Sequence, residues 1–312
     1  MKGLELSELY YETYGKKMIA ENFNLLENRI AVGLVGEGSE CLSYDDEAST
    51  DHDFEPGFCL FLTDEDEENF GFKLQRAYSN LPKEFHGYKR NLVSPVGGAR
   101  HGVISISNFY NKYLGYNTAP DTIEKWLYTP SCMFLNVTNG KVFRDDLGVF
   151  STIRNTIRLG YPEDIRIKKI AANTILAAQA GQYNYQRLVN RKDIGGAILS
   201  LNEFSKKIIS IVYLLNNKYE PFYKWAYRGL KDLDILGDIS NDLLSLNYNK
   251  DSILNDKQNL ELIEEIASKV INIFINQNIT KASCNNLDTH AYSLMDHITN
   301  NDLRNMNIMA GI

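Results

Sequence analysis

The chain has 312 residues, 44% of them hydrophobic and 23% charged, which excludes wholesale disorder and leaves room for two domains of ordinary size. Its 33 Lys and Arg stand against 40 Asp and Glu, a net charge of −7, so long nucleic acid, which selects a basic surface, is disfavoured as a partner. Cys41, Cys59, Cys132 and Cys284 lie far apart with no CxxC pair, which argues against zinc and for a reducing compartment. No stretch approaches the roughly 18 apolar residues of a membrane span, and the N-terminal segment lacks a signal-peptide core. The chain therefore reads as cytoplasmic, with no membrane partner.

Taken in chain order, Leu6, Leu9, Tyr10, Tyr14, Met18 and Leu25 keep helical spacing and predict a helix over 5–28. Arg29 to Val35 is a short apolar run ending in Gly36-Glu37-Gly38-Ser39, a buried strand followed by a tight turn. Phe58 to Leu62 is a second buried strand, and Thr63 caps an acidic helix start that runs on to about Ser79. Val103 to Ser107 alternates apolar and polar residues, a third strand with one exposed face. Met133–Val137, Asn139-Gly140 and Lys141–Phe143 read as a hairpin around a strong turn signal. Strands then disappear. Ala197, Ile198, Leu201, Phe204, Ile208, Ile211, Val212 and Leu215 form one helical stripe, and Leu260, Ile263, Ile266, Val270 and Phe274 another, both read as core packing. The expected fold is α+β: a small mixed-sheet domain over 1–150, then an all-α helical bundle over 151–312.

The segment Leu34–Leu62, LVGEGSECLSYDDEASTDHDFEPGFCLFL, carries the chemistry. Asp51 and Asp53 flank one residue beside a strand, so their carboxylates point the same way and can hold one or two hard divalent cations. Gly38 lets backbone approach a phosphate, and Ser39 offers a hydroxyl and an N–H for its oxygens. His52 points away from the two acids in an extended strand and reads as packed behind them. The competing reading is a solvated acidic loop, since Asp45, Asp46 and Glu47 crowd the same stretch, although the spacing is not that of an EF-hand.

Gly38-Ser39, an eleven-residue gap (residues 40–50) and Asp51-His52-Asp53 between two apolar strands resemble the signature of the polymerase-β-like nucleotidyltransferase superfamily. The longer run GSECLSYDDEASTDHDF, the TNGKVFRDD stretch and YEPFYKW at 219–225 resemble an uncharacterised bacterial branch of it. That resemblance implies a nucleotidyltransferase domain in which Asp51 and Asp53 are catalytic and ligate magnesium or manganese. It implies that Gly38 and Ser39 hold the β- and γ-phosphates of ATP or another nucleoside triphosphate. A hydroxyl of a small-molecule or protein acceptor then attacks the α-phosphate, and pyrophosphate leaves.

The helical half resembles the C-terminal domain of aminoglycoside-type adenylyltransferases. There a lysine before a tryptophan reaches the triphosphate, a role the resemblance gives to Lys224 before Trp225; a solvated lysine beside a core tryptophan is the alternative. Arg187 and Arg191 share a helix face and either line the nucleotide cleft or pair with surface acids. Arg100-His101 precedes the third strand and could face the same cleft, while His290 and His297 read as surface or partly packed. The superfamily adds a third acid on a later strand, but here VISIS offers Ser105 and Ser107 and no carboxylate. Glu220 is a conceivable replacement. The departure keeps a second reading open, a catalytically weak or inactive nucleotide-binding regulator, and the sequence leaves the oligomeric state open.

Overall fold

The computed structural model describes residues 1–47, 49, 54–90, 100–247 and 256–312, so Asp51, His52 and Asp53 lie outside the described residues. A small mixed sheet is accompanied by many helices. The chain divides into two compact units, Met1–Pro120 with Met133–Leu159, and Asp121–Cys132 with Gly160–Ile312.

The first unit holds a four-stranded sheet of β1 (Ala31–Leu34), β2 (Cys59–Leu62), β3 (Gly102–Ser105) and β4 (Lys141–Arg144), in the order β3-β2-β1-β4. β1 runs antiparallel to β2, with Gly33 opposite Cys59, and antiparallel to β4, with Leu34 opposite Lys141. β2 and β3 are parallel, with Cys59 opposite Gly102. The uninterrupted apolar run Cys59-Leu60-Phe61-Leu62 is what a central strand covered on both faces requires. Leu60 joins Tyr10, Tyr11, Phe58 and Tyr78 in one core. Phe61 stacks on Phe150 at 4.1 Å between ring centroids and meets Phe109 edge-on at 5.1 Å. Full burial of side chains of this size stabilises by about 1.5–3 kcal/mol each.

Three local expectations change. The N-terminal helix runs from Gly3 to Asn22, with a π-turn over Tyr11–Gly15, and stops where Phe23 leaves helical geometry at φ −137°. The hairpin at 133–143 does not form. Ser131–Thr138 is a helix, and β4 pairs with β1 instead. Pro130 opens that helix, and Phe134 and Val137, three apart, bury one helical face. The third strand ends at Ser105, whose hydroxyl accepts from Asn108 N at 3.2 Å and caps the helix Ile106–Leu114. A good N-cap here overrides the strand alternation.

In the second unit the helix Glu163–Ala177 is buried along almost its whole length, including Arg166, Lys168 and Lys169. The helices Ile194–Leu215 and Leu287–His297 pack on it. The apolar stripes expected at 197–215 and 260–274 are buried except for Ile198, which faces outward at 44% exposed because it neighbours the buried Ala197 on the helix, and Leu260, which is half-buried. His290 is fully buried rather than at the surface, with its two ring nitrogens 2.9 Å from Thr280 Oγ1 and 2.8 Å from the carbonyl of Cys284. Among the described residues, no helix is long and apolar enough to cross a membrane.

Candidate functional site

Strand directions bring four connections to one end of the sheet. β1 finishes where its antiparallel neighbours β2 and β4 begin, and β3 begins beside β2. The turn Gly36–Ser39, the approach Glu55–Gly57, the pair Arg100-His101 and the corner Asn139–Lys141 therefore lie together.

Gly38 sits at φ +119°, a conformation that side chains rarely adopt. A Cβ there would fall 2.0 Å from an Arg100 guanidinium nitrogen and 2.4 Å from Glu40 Oε1. Ser39 starts the 3-10 turn Glu40–Leu42, and its carbonyl accepts from Leu42 N at 3.1 Å and Tyr44 N at 2.8 Å. The Gly36 N–H donates to Asn139 Oδ1 at 3.0 Å, and Asn139 Nδ2 donates back to the Gly36 carbonyl at 2.7 Å. Gly140 N donates to the Cys41 carbonyl at 2.8 Å. Behind this corner Arg154, buried, donates to the carbonyls of Thr138 at 2.7 Å, Asn139 at 2.8 Å and Gly140 at 3.2 Å. Burial pulls its guanidinium down to about 10, with Arg158 adding to the shift.

The charges at this end of the sheet are paired. Lys112 lies 3.1 Å from Glu37, Arg100 bonds Glu40 and the Glu37 carbonyl, and His101 Nδ1 lies 3.0 Å from Glu55 Oε1. A cavity of about 260 Å³ opens beside the turn, lined among others by Glu37, Arg100, His101, Phe109, Lys112 and Tyr113. Cys59 also lines it, but burial pushes its thiol up to about 12, so it is no nucleophile.

Two acids of the crowded loop have structural work. Asp45 is buried, accepts from Gly3 N at 2.9 Å at the start of the first helix and has Lys2 Nζ 3.5 Å away. Asp46 Oδ1 accepts from Ser49 N at 3.2 Å and Ser49 Oγ at 3.1 Å. Asp51 and Asp53 lie outside the described residues, and among the described residues no three His, Cys, Asp or Glu side chains gather as a metal site. What can be tested of the fit to a nucleotide is the turn. A Cβ-free backbone at Gly38 lets a phosphate oxygen approach the chain closely, while the guanidinium of Arg100 beside it is neutralised by the Glu40 carboxylate. β3 carries no carboxylate: Ser105 is the helix cap, and the next serine, Ser107, donates to Asp64 Oδ2 at 2.6 Å.

In the second unit Lys224, on the helix Tyr223–Leu230, is exposed and lies 5.2 Å from the Trp225 ring. Arg187, on the helix Gln186–Asn190, covers the Tyr183 ring at 3.7 Å. Among the described residues neither cation has a carboxylate partner. Arg191 falls just past the end of that helix. Glu220 Oε2 accepts from Ser210 Oγ at 2.6 Å, and burial raises its carboxyl above the usual range, against that hydrogen bond and the charge of Lys207.

Residues 126–226 match a domain of unknown function, DUF4037. No curated protein and no solved structure matches the chain. The matched stretch is about a third of the chain; it contains Asn139, Arg154, Arg187, Glu220 and Lys224 and excludes Gly38, Ser39, Asp51 and Asp53.

Asn139, Arg154 and the Glu55–His101 pair were not singled out together by the sequence. Asn139-Gly140 reads as a hairpin turn, whereas a Cβ at Gly140 would fall 2.0 Å from the Leu34 carbonyl and Asn139 clasps Gly36. The unbroken polarity of TNGK after the apolar run Met133–Val137 was the one available signal.

Proposed function

We propose that the chain is a metal-dependent nucleotidyltransferase that moves a nucleoside monophosphate, AMP from ATP, to a hydroxyl of a small-molecule or protein acceptor with release of pyrophosphate. The observation that supports this most is the glycine turn at the end of β1, where Gly38 has no room for a side chain and is clasped through Gly36 by Asn139. The sequence runs from that turn to Asp51 and Asp53 and back into β2. In this reading the backbone N–H groups at Gly38 and Ser39 orient the β- and γ-phosphates, with Arg100, ion-paired to Glu40, beside them. Asp51 and Asp53 would hold magnesium or manganese, which supplies charge neutralisation at the triphosphate when bound. The resemblance of the helical half assigns Lys224 to triphosphate oxygens, and Arg187, placed by its helix face and not by the resemblance, would line the nucleotide cleft; that neither has a carboxylate partner among the described residues is compatible with those roles.

A second reading, a nucleotide-binding regulator without turnover, is favoured by one observation: Ser105 at the end of β3 and Ser107 in the helix after it are engaged structurally, and no carboxylate stands on that strand.

Thermal unfolding with ATP and magnesium tests the nucleotide site. A ligand at 100 times its dissociation constant adds about 2.7 kcal/mol, a midpoint shift of a few degrees. The expected result is a magnesium-dependent shift in the wild type that Asp53→Asn loses. No shift with any nucleoside triphosphate in the folded wild type overturns the reading. Pyrophosphate release then separates the transferase from the regulator.

A further inference from the structure

We infer that His101, oriented by Glu55, is the general base that takes the proton of the attacking hydroxyl, in place of a carboxylate on β3. This rests on the nucleotidyltransferase reading above. His101 is the residue immediately before β3, at the end of the sheet where the glycine turn lies. Its side chain is 8% exposed and that of Glu55 is 16% exposed, so their 3.0 Å contact is shielded from bulk water. A carboxylate accepts, so the imidazole carries its proton on Nδ1 and leaves the Nε2 lone pair available. No hydrogen bond to Nε2 occurs among the described residues, and the ring lines the cavity of about 260 Å³ beside Glu37. The ring also packs on Gly57, where a Cβ would lie 2.8 Å from its Cγ, so backbone and carboxylate together fix its orientation. The other charged groups of this cavity are already matched with one another: Glu37 with Lys112, and Arg100 with Glu40.

The step balances without a further reactant. The acceptor oxygen forms its bond to the α-phosphorus of ATP as its proton passes to His101 Nε2. The bond from that phosphorus to the bridging oxygen breaks, and its electron pair leaves with pyrophosphate. The imidazolium, stabilised by Glu55, returns the proton to water.

The test measures magnesium-dependent release of pyrophosphate from ATP, with water and glycerol as hydroxyl probes, alongside the thermal shift by ATP and magnesium. His101→Gln is expected to keep the thermal shift and lose pyrophosphate release by roughly 100-fold or more. Glu55→Gln, which removes the carboxylate that orients the ring, is expected to keep the thermal shift and to lower pyrophosphate release less than His101→Gln does. Full release by His101→Gln overturns the assignment and leaves the nucleotide reading intact. A wild type that binds ATP but releases no pyrophosphate with either probe overturns it as well, in favour of the regulator. A wild type with no thermal shift removes both.

Discussion

Asn139 holds Gly36 by both of its backbone groups, giving through Nδ2 at 2.7 Å and receiving at Oδ1 at 3.0 Å, across more than a hundred residues of sequence. The side chain thus acts as a strand partner for Gly36, two residues beyond the end of β1. Asn139→Ala leaves a buried N–H and a buried carbonyl without partners, and about 2 kcal/mol or more of stability should be lost in urea unfolding. Asn139→Asp retains only an acceptor and repels the Gly36 carbonyl, so it should cost no less than the alanine variant.

Gly38→Ala combines a strained φ of +119° with a clash against Arg100 and Glu40. A loss of about 1–3 kcal/mol is expected, together with loss of the stabilisation by ATP and magnesium. Adding Arg100→Ala removes the contact with the guanidinium but leaves the Glu40 carboxylate and the backbone strain in place, so the double variant should recover only part of the stability and none of the nucleotide response.

Lys168 is fully buried and donates to the carbonyls of Met306 at 3.2 Å and Asn307 at 2.8 Å, and burial pulls its ammonium down to about 8. Between about 8 and the ordinary 10.5 the unfolded chain binds the proton that the folded chain has released. Stability from this group therefore rises with pH across that window and is lowest below it, by at most about 3 kcal/mol. The difference in unfolding free energy between wild type and Lys168→Met should grow from pH 8 to 10.5. A flat or falling difference would count against a depressed lysine.

Lys224 is exposed and has no carboxylate partner among the described residues, so Lys224→Gln should leave the melting midpoint of the free protein unchanged. If it meets the triphosphate, the apparent dissociation constant for ATP and magnesium should rise about tenfold, equivalent to about 1.4 kcal/mol. An unchanged constant assigns Lys224 to the surface instead.

The apolar runs at β1 and β2 and the helical stripes of the second half were legible because burial on one face, or on both, leaves a period in the sequence. Met133–Val137 was misread because a five-residue apolar run looks alike as a buried strand and as a short helix; Pro130 was the discriminating sign. Ser105 hid a different ambiguity, since a serine that continues an alternation also makes a good helix cap. Of the candidate site, the glycine turn was readable from local chemistry. The clasp by Asn139, the carbonyl cluster on Arg154 and the contact of Glu55 with His101 join residues 14 to 103 positions apart, and no local pattern announces such pairings.

The chain passes between its two compact units three times, after Pro120, Cys132 and Leu159. During synthesis, Asp121–Cys132 leaves the ribosome before any of the residues it belongs with. The Leu127 carbonyl must wait for Lys169, which reaches it at 2.6 Å, and the Ser131 hydroxyl for Glu220 N, also at 2.6 Å. Neither unit can be cut out as one continuous piece. A truncation at residue 150, placed where the strands end, would discard Arg154 and with it the anchor of the corner that grips the glycine turn. Dissection of this protein into working halves therefore calls for circular permutation or co-expressed fragments rather than a single stop codon.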